Sequence, residues 1–192
     1  RQMCIRDRID TDYGRYARYP VKTHVITKDD VLEDVLDKYV REYIQPGDTI
    51  IMSEKIVAIS QGRAFPIEEI KVSRLAKILS HFVVKTNYGI GLGMPETMEL
   101  CIREVGRVKV LWAAFCAAIG KLFGKHGVFY NICGMKARAI DGPCEYTLPP
   151  YNHYAKMAPD KPDEVAERLT KYLGVDVVII DANDIGANVL GK

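Results

Sequence analysis

The chain has 192 residues, is 48% hydrophobic and carries a formal net charge of +2, which excludes a disordered chain and allows one sizeable core or two small interlocked ones. The charge is too mild, and too scattered, for a nucleic-acid or anionic-membrane partner, for which a basic stripe or block is needed. The longest apolar run, Val110 to Ile119, is well short of the ~20 residues that a membrane span requires.

The first eight residues, RQMCIRDR, resemble a translated sequencing-adapter tail and join smoothly to nothing after them, so the expected domain runs from Ile9 to Lys192. They do not read as a secretory leader, having no apolar core and no small-residue cleavage site. Cys4, Cys101, Cys116, Cys133 and Cys144 form no C-x-x-C pair and are odd in number. Neither a zinc site nor a disulfide framework is indicated, and reduced thiols point to the cytoplasm.

Tyr16–Tyr19 reads as an edge strand leading into a better one, Pro20–Ile26. Thr27 is expected to cap a helix with Asp29 and Asp30 in its first turn, because carboxylates there favour the helix dipole and apolar residues recur from Val31 to Tyr43. Pro46-Gly47-Asp48 is turn chemistry. Thr49–Met52 is apolar on both sides and reads as a strand central in a sheet. Ser53, Glu54 and Lys55 then stand where that strand runs out, a common place for ligands in mixed folds, although a solvated turn accounts for them equally well.

Ala64–Ile67 reads as a short strand or loop, and Ser73 opens a helix expected to bury Leu75, Ala76, Ile78, Leu79 and Phe82. Tyr88–Glu96 alternates three glycines before Pro95. Its spacing is neither G-x-G-x-x-G nor a Walker loop, so a phosphate cradle and a plain loop both stay open. Two helices follow, Pro95–Val105 and about Val108–Phe123. The second is apolar nearly all round, which predicts a core or subunit-interface helix; a membrane-surface role fits it poorly, since its lysines do not line one face. Gly127–Gly134 reads as a strand entering an ordered, proline-rich loop from Met135 to Lys161. Pro162–Leu173 is a helix stopped by Gly174, and Val175–Ile180 is a buried strand expected to present Asp181, Ala182, Asn183 and Asp184 at its end. Two acids and an asparagine there suit a hard cation such as Mg²⁺ or Mn²⁺, and a capped turn uses the same residues.

Four stretches together resemble one family. Ser53–Arg63, SEKIVAISQGR, is similar to the A-Q-K-I-V-S-K-A-E-G-R segment of coenzyme F420-0:L-glutamate ligases, also called F420-0:gamma-glutamyl ligases. Pro20-Val21-Lys22 resembles their opening strand; Asn131–Ala139, followed by Leu148-Pro149-Pro150, resembles N-A-G-I-D-x-S-N; and Asp181–Asp184 resembles D-T-x-G-R. The resemblance covers Tyr19 to Ile185 and implies an α+β fold of mixed sheets covered by helices, in two interleaved parts, assembled as a homodimer. It implies GTP-dependent amide ligation of glutamate to a small-molecule carboxylate through an acyl phosphate, with Mg²⁺ or Mn²⁺. Lys55 and Asp181 are then the catalytic candidates; Pro20, Val21, Lys22, Glu54, Lys55 and Arg138 the nucleotide-binding ones; and Asp181 and Asp184 the metal ligands.

The chain also departs from the family pattern. Lys136 stands at the first metal aspartate, Ala139 at an asparagine, Ile59 at a second lysine, and Asp184 and Ile185 at the glycine and arginine after D-T-x. With the family's C-terminal nucleotide-binding segment not reached by Lys192, a divergent and truncated relative is expected. The alternative is a nucleotide- or acid-binding protein that kept the fold without catalysis. If the alignment is right, Lys136 is expected to form a salt bridge with Asp181.

Overall fold

The computed structural model describes residues 7–12, 14–83, 91–145, 147–183 and 186–192. The chain forms two compact units, one made of residues up to Ser60 together with Lys161–Lys192, the other of Gln61–Asp160. In chain order the first unit contributes β1 (Asp7–Thr11), β2 (Gly14–Arg18), α1 (Leu32–Tyr39), β3 (Thr49–Ser53) and α2 (Glu54–Ser60). The second holds β4 (Ala64–Pro66), α3 (Arg74–Ser80), α4 (Pro95–Val105), α5 (Arg107–Leu122), α6 (Val128–Cys133), α7 (Met135–Arg138) and β5 (Tyr154–Lys156). The chain then returns to the first unit as α8 (Pro162–Leu173), β6 (Asp176–Asn183) and β7 (Gly186–Gly191). Helices with parallel and antiparallel pairings make the fold α+β, as the resemblance implied.

The first unit is built on a three-stranded sheet in the order β3-β6-β7. β3 and β6 run parallel with Ser53 opposite Ile180, and β6 and β7 run antiparallel with Asp181 opposite Asn188. α1 and α8 bring Leu32, Leu36, Val165 and Leu169 to the same core as Met52, Val177 and Ile179, each full burial of such a side chain stabilising by roughly 1.5–3 kcal/mol. Along their exposed sides Arg168 pairs with Glu33, and the Tyr172 hydroxyl donates to Asp37 at 2.6 Å. α8 begins and ends as expected: Pro162 sits in the first turn, where its missing N–H costs nothing, and Gly174 takes the left-handed φ of 77° that ends the helix.

Several expectations for this unit are corrected. Pro20–Ile26 forms no strand: Pro20 has no N–H for a ladder, and the segment is held by side chains, with His24 bonded to the Tyr39 hydroxyl at 2.9 Å and to Asp30 at 2.8 Å. The helix begins at Leu32, not after Thr27. Asp30 is the reason, since its carboxylate takes both the N–H and the hydroxyl of Thr27 and closes a local turn that competes with helix. β3 lies at an edge of the three-stranded sheet rather than at its centre, and Ile51 faces solvent. β6 does not stop at Ile180 but runs on to Asn183, so Asp181 stands within a ladder.

In the second unit α3, α4, α5 and α6 surround a core of Leu92, Met98, Leu100, Cys101 and Val110. Ser73 caps α3 as expected, its hydroxyl accepting from the Ala76 N–H at 3.2 Å, but Ile78 and Phe82 are exposed while Leu75 and Leu79 pack on the core. The stretch from Gly127 to Gly134 holds helix α6 (Val128–Cys133) between its two glycine caps, not a strand. Its β-type composition is overridden by packing on α5, where Gly120 lets Val128 approach so closely that a Cβ would lie 2.9 Å from Val128 Cγ2.

α5 reverses the expectation of burial. It turns Val110, Ala113 and Gly120 inward, and leaves Val108, Trp112 and Phe115 84%, 59% and 57% exposed. Small residues let α5 seat closely on its neighbours, so the large apolar side chains are the ones left outside.

β7 closes the first unit against the start of α8. A Cβ on Gly191 would lie 2.3 Å from the Pro162 carbonyl oxygen, whereas one on Gly186 would meet nothing. Gly191→Ala is therefore expected to cost about 1–3 kcal/mol through backbone displacement, with Gly186→Ala within about 1 kcal/mol of wild type. Urea denaturation of the two variants checks this, and equal stabilities would contradict the docking of β7.

Candidate active site

In the first unit two features gather the residues singled out from sequence. The parallel register sets Ser53 beside Ile180, so β3 ends beside the middle of β6: Glu54 and Lys55 open α2 there, and Asp181 is the next residue of β6, which continues in its ladder with β7. Glu54 is buried, 6% exposed, in the first turn of α2, while Lys55 is exposed and Asp181 half-exposed. Asp184, the second expected metal ligand, lies outside the described residues.

The other feature is a cleft of about 270 Å³ lined by Pro20, Val21 and Lys22 together with Lys38, Tyr39, Glu42 and Tyr43. Its two ammonium groups stand with one carboxylate and two phenol rings, so the lining is on balance cationic. Tyr39 is fixed by His24, whose other ring nitrogen meets Asp30. The Asp30 carboxyl is held below its ordinary value by the Thr27 N–H, then by hydrogen bonds from His24 and the Thr27 hydroxyl. Lys38, Tyr39 and His24 were missed in the sequence because the first two read only as part of a helix and His24 as part of the expected strand Pro20–Ile26.

The second unit carries a charge network that sequence gave no sign of. The Glu104 side chain, 8% exposed on α4, meets Arg63 Nη2 through Oε2 at 2.8 Å and Lys136 Nζ through Oε1 at 2.9 Å. Lys136 Nζ also stands 3.7 Å from Asp160 Oδ1. The carriers are far apart in the chain, and Arg103-Glu104 reads as an ordinary solvated end of a helix. Lys136 thus takes Glu104 and Asp160 of its own unit as partners, while the expected partner, Asp181, belongs to the other unit. Arg138, expected to contact nucleotide, donates to Asn131 Oδ1. Of the glycine-alternating stretch, residues 88–90 lie outside the described residues. Gly91–Gly93 is a 3-10 turn with Leu92 buried, and the Thr97 hydroxyl donates to the Gly91 carbonyl at 2.6 Å.

Among the described residues no three His, Cys, Asp or Glu side chains are arranged to hold a metal ion. Of the two expected ligands for Mg²⁺ or Mn²⁺, Asp181 stands in the β6–β7 ladder and Asp184 lies outside the described residues. Among the same residues no helix is long and apolar enough to cross a membrane, and Cys101, Cys116, Cys133 and Cys144 are free thiols.

The first unit thus sets a buried glutamate and a lysine directly after β3, an aspartate on the neighbouring β6, and a cleft of lysines, tyrosines and Glu42, within an α+β fold. The chain matches the family described as F420-0:Gamma-glutamyl ligase over residues 20–185, and belongs to it. No curated protein matches the chain.

The Glu104 network has a pH signature. Burial acts to raise its carboxyl pKa, but hydrogen bonds from Lys136 and Arg63 and their positive charges outweigh burial and hold it below the ordinary 4.5. A depressed carboxyl stabilises the fold above its unfolded value and loses that contribution as pH falls through the folded one. The stability gap between wild type and Glu104→Gln is therefore expected to be widest at neutral pH and to close below about pH 4.5. Denaturant titrations across that range check it, and a gap independent of pH would count against the network.

Proposed function

We propose that the protein is a nucleotide-dependent ligase that joins the amine of glutamate to a small-molecule carboxylate. Membership of the gamma-glutamyl ligase family over residues 20–185 is the observation that carries this reading. A substrate carboxylate oxygen attacks the terminal phosphorus of a nucleoside triphosphate, GTP by resemblance; the new O–P bond replaces the bond to the diphosphate, which leaves. The glutamate nitrogen then attacks the acyl carbon, forming C–N, losing a proton and expelling phosphate.

Lys22 in the cleft and Lys55 at the sheet edge bind phosphate oxygens in this reading, with Pro20 and Val21 shaping the cleft wall. Tyr39 and Tyr43 offer apolar faces beside Lys22 and Lys38, which supports placing the nucleotide there. Glu54 completes the nucleotide contacts of this unit, and Asp181 on β6 serves the reacting groups; a nucleotide role for Arg138 rests on resemblance alone. The roles of Asp181 and Asp184 as metal ligands rest on resemblance alone.

The homodimer implied by the family uses α5 in this reading. Val108, Trp112, Phe115, Ile119 and Leu122 follow one another at spacings of four, three, four and three residues and are 40–84% exposed, the seam spacing of helices that pair with like helices. Trp112→Glu is expected to convert a dimer to a monomer by light scattering, and the wild-type tryptophan emission to shift red on dilution. A monomeric wild type would remove α5 as the dimer seam.

One observation favours a second reading, a nucleotide- or acid-binding protein without catalysis: Lys136 stands at a metal-aspartate position and is paired with acids. Calorimetry with GTP and ATP, combined with glutamate-dependent phosphate release, separates the two. Binding with release supports the ligase, and binding without release the second reading. Lys55→Ala is expected to weaken nucleotide binding by about 1–3 kcal/mol, the range for a charge-assisted hydrogen bond; unchanged affinity would exclude Lys55 from the phosphate contacts.

A further inference from the structure

We infer that Lys136 is a resident cation, its ammonium holding the place between Glu104 and Asp160 that a divalent ion would need, so that the second unit takes no metal there. The inference rests on family membership and on the ion pairs, not on the proposed reaction.

A nearly buried carboxylate must be paired, because an unpaired charge out of water is costly. Both Glu104 oxygens have a partner, Oε2 Arg63 and Oε1 Lys136, at 2.8 and 2.9 Å. Asp160 faces the same ammonium at 3.7 Å. Two carboxylates and two cations leave this group electrically neutral. A divalent ion added to it would leave two uncompensated positive charges beside Arg63, and it could reach Glu104 Oε1 only by displacing the lysine.

The surrounding backbone keeps the acids in place independently of Lys136. The Asp160 N–H donates to Gln61 Oε1 at 2.7 Å, and Gln61 Nε2 donates to the Asp160 carbonyl at 2.9 Å. Arg63 Nε donates to the Ala158 carbonyl, which fixes the guanidinium under Glu104. Lys136 is the second residue of α7, one position past Met135, and the φ of 84° at Gly134 turns the chain into that helix, so the backbone sets where residue 136 stands. Replacing Lys136 by aspartate would bring three carboxylates and one guanidinium together, a net charge of minus two that a divalent ion neutralises.

The test uses the full 192-residue chain and Mn²⁺ itself, followed by electron paramagnetic resonance of free Mn²⁺ and by thermal denaturation. Wild type is expected to show no Mn²⁺ binding that Glu104→Gln removes. Lys136→Asp should bind Mn²⁺ about tenfold or more tightly than wild type, melt at a higher temperature when Mn²⁺ is present, and lose both effects when Glu104→Gln is added. Should Lys136→Asp fail to fold, Lys136→Gln, which removes the cation and adds no charge, decides with a gain of about threefold. The inference is overturned if wild type binds Mn²⁺ in a Glu104-dependent way, or if the folded variant gains no Glu104-dependent Mn²⁺ binding.

Discussion

The first unit depends on one pairing: Thr49–Ser53 beside Asp176–Ile180, in parallel. The whole second unit, Gln61–Asp160, lies between these strands in the chain, so β3 has no partner in its sheet until β6 returns, although β6 pairs locally with β7. Closing so long a loop costs little more than closing a shorter one, since each doubling adds only about 0.6 kcal/mol. The return comes from a core drawn from both ends, with Leu36 and Val57 from before the excursion and Leu169, Val177 and Ile179 from after it. The same register sets the end of β3, where Glu54 and Lys55 follow, beside the stretch of β6 that carries Asp181. The candidate chemistry of this unit therefore depends on a contact that no local segment can form alone.

The second unit solves a different problem. Its helices are short or amphipathic, and its interior is filled by α4, whose Met98, Leu100, Cys101 and Ile102 are all buried. α5 presents small residues to that interior and large ones to the outside, which leaves an apolar face far larger than single exposed leucines. Charge is handled inside the unit as well. Arg63 just before β4, Glu104 on α4, Lys136 on α7 and Asp160 at the end of the unit pair around one nearly buried carboxylate and so join four segments. A carboxylate so placed tolerates the loss of neither cation easily, because the remaining charge would be left without compensation.

Elements governed by neighbours in the chain were legible. α4 and α8 have Pro in the first turn and, for α8, Gly just past the end; α3 has its serine cap; β6 begins where its apolar run puts it. The family was legible too, because SEKIVAISQGR and the motifs after it hold their order along the chain. Legibility failed where a long-range contact outweighed local preference. Val128–Cys133 has strand-like composition and is helical because α5 offers a glycine to pack on; Thr27–Asp30 closes a turn through one carboxylate and delays α1; Asp181 stays in a ladder because β7 returns to pair with it.

What the sequence by itself determined is the class of fold, the family and the start and stop of its best-capped helices, all of which depend on residues a few positions apart. Tertiary structure alone decided which face of α5 is covered, which acids Lys136 meets, and that Lys22 shares a cleft with Lys38 and Tyr39. Composition measures how apolar or charged a segment is, but burial and ion pairing depend on what arrives from elsewhere in the chain. A helix apolar on all sides leaves undecided which side its own unit will use. Likewise a lysine in an aspartate's place gains its meaning only from the carboxylates that the fold brings to it.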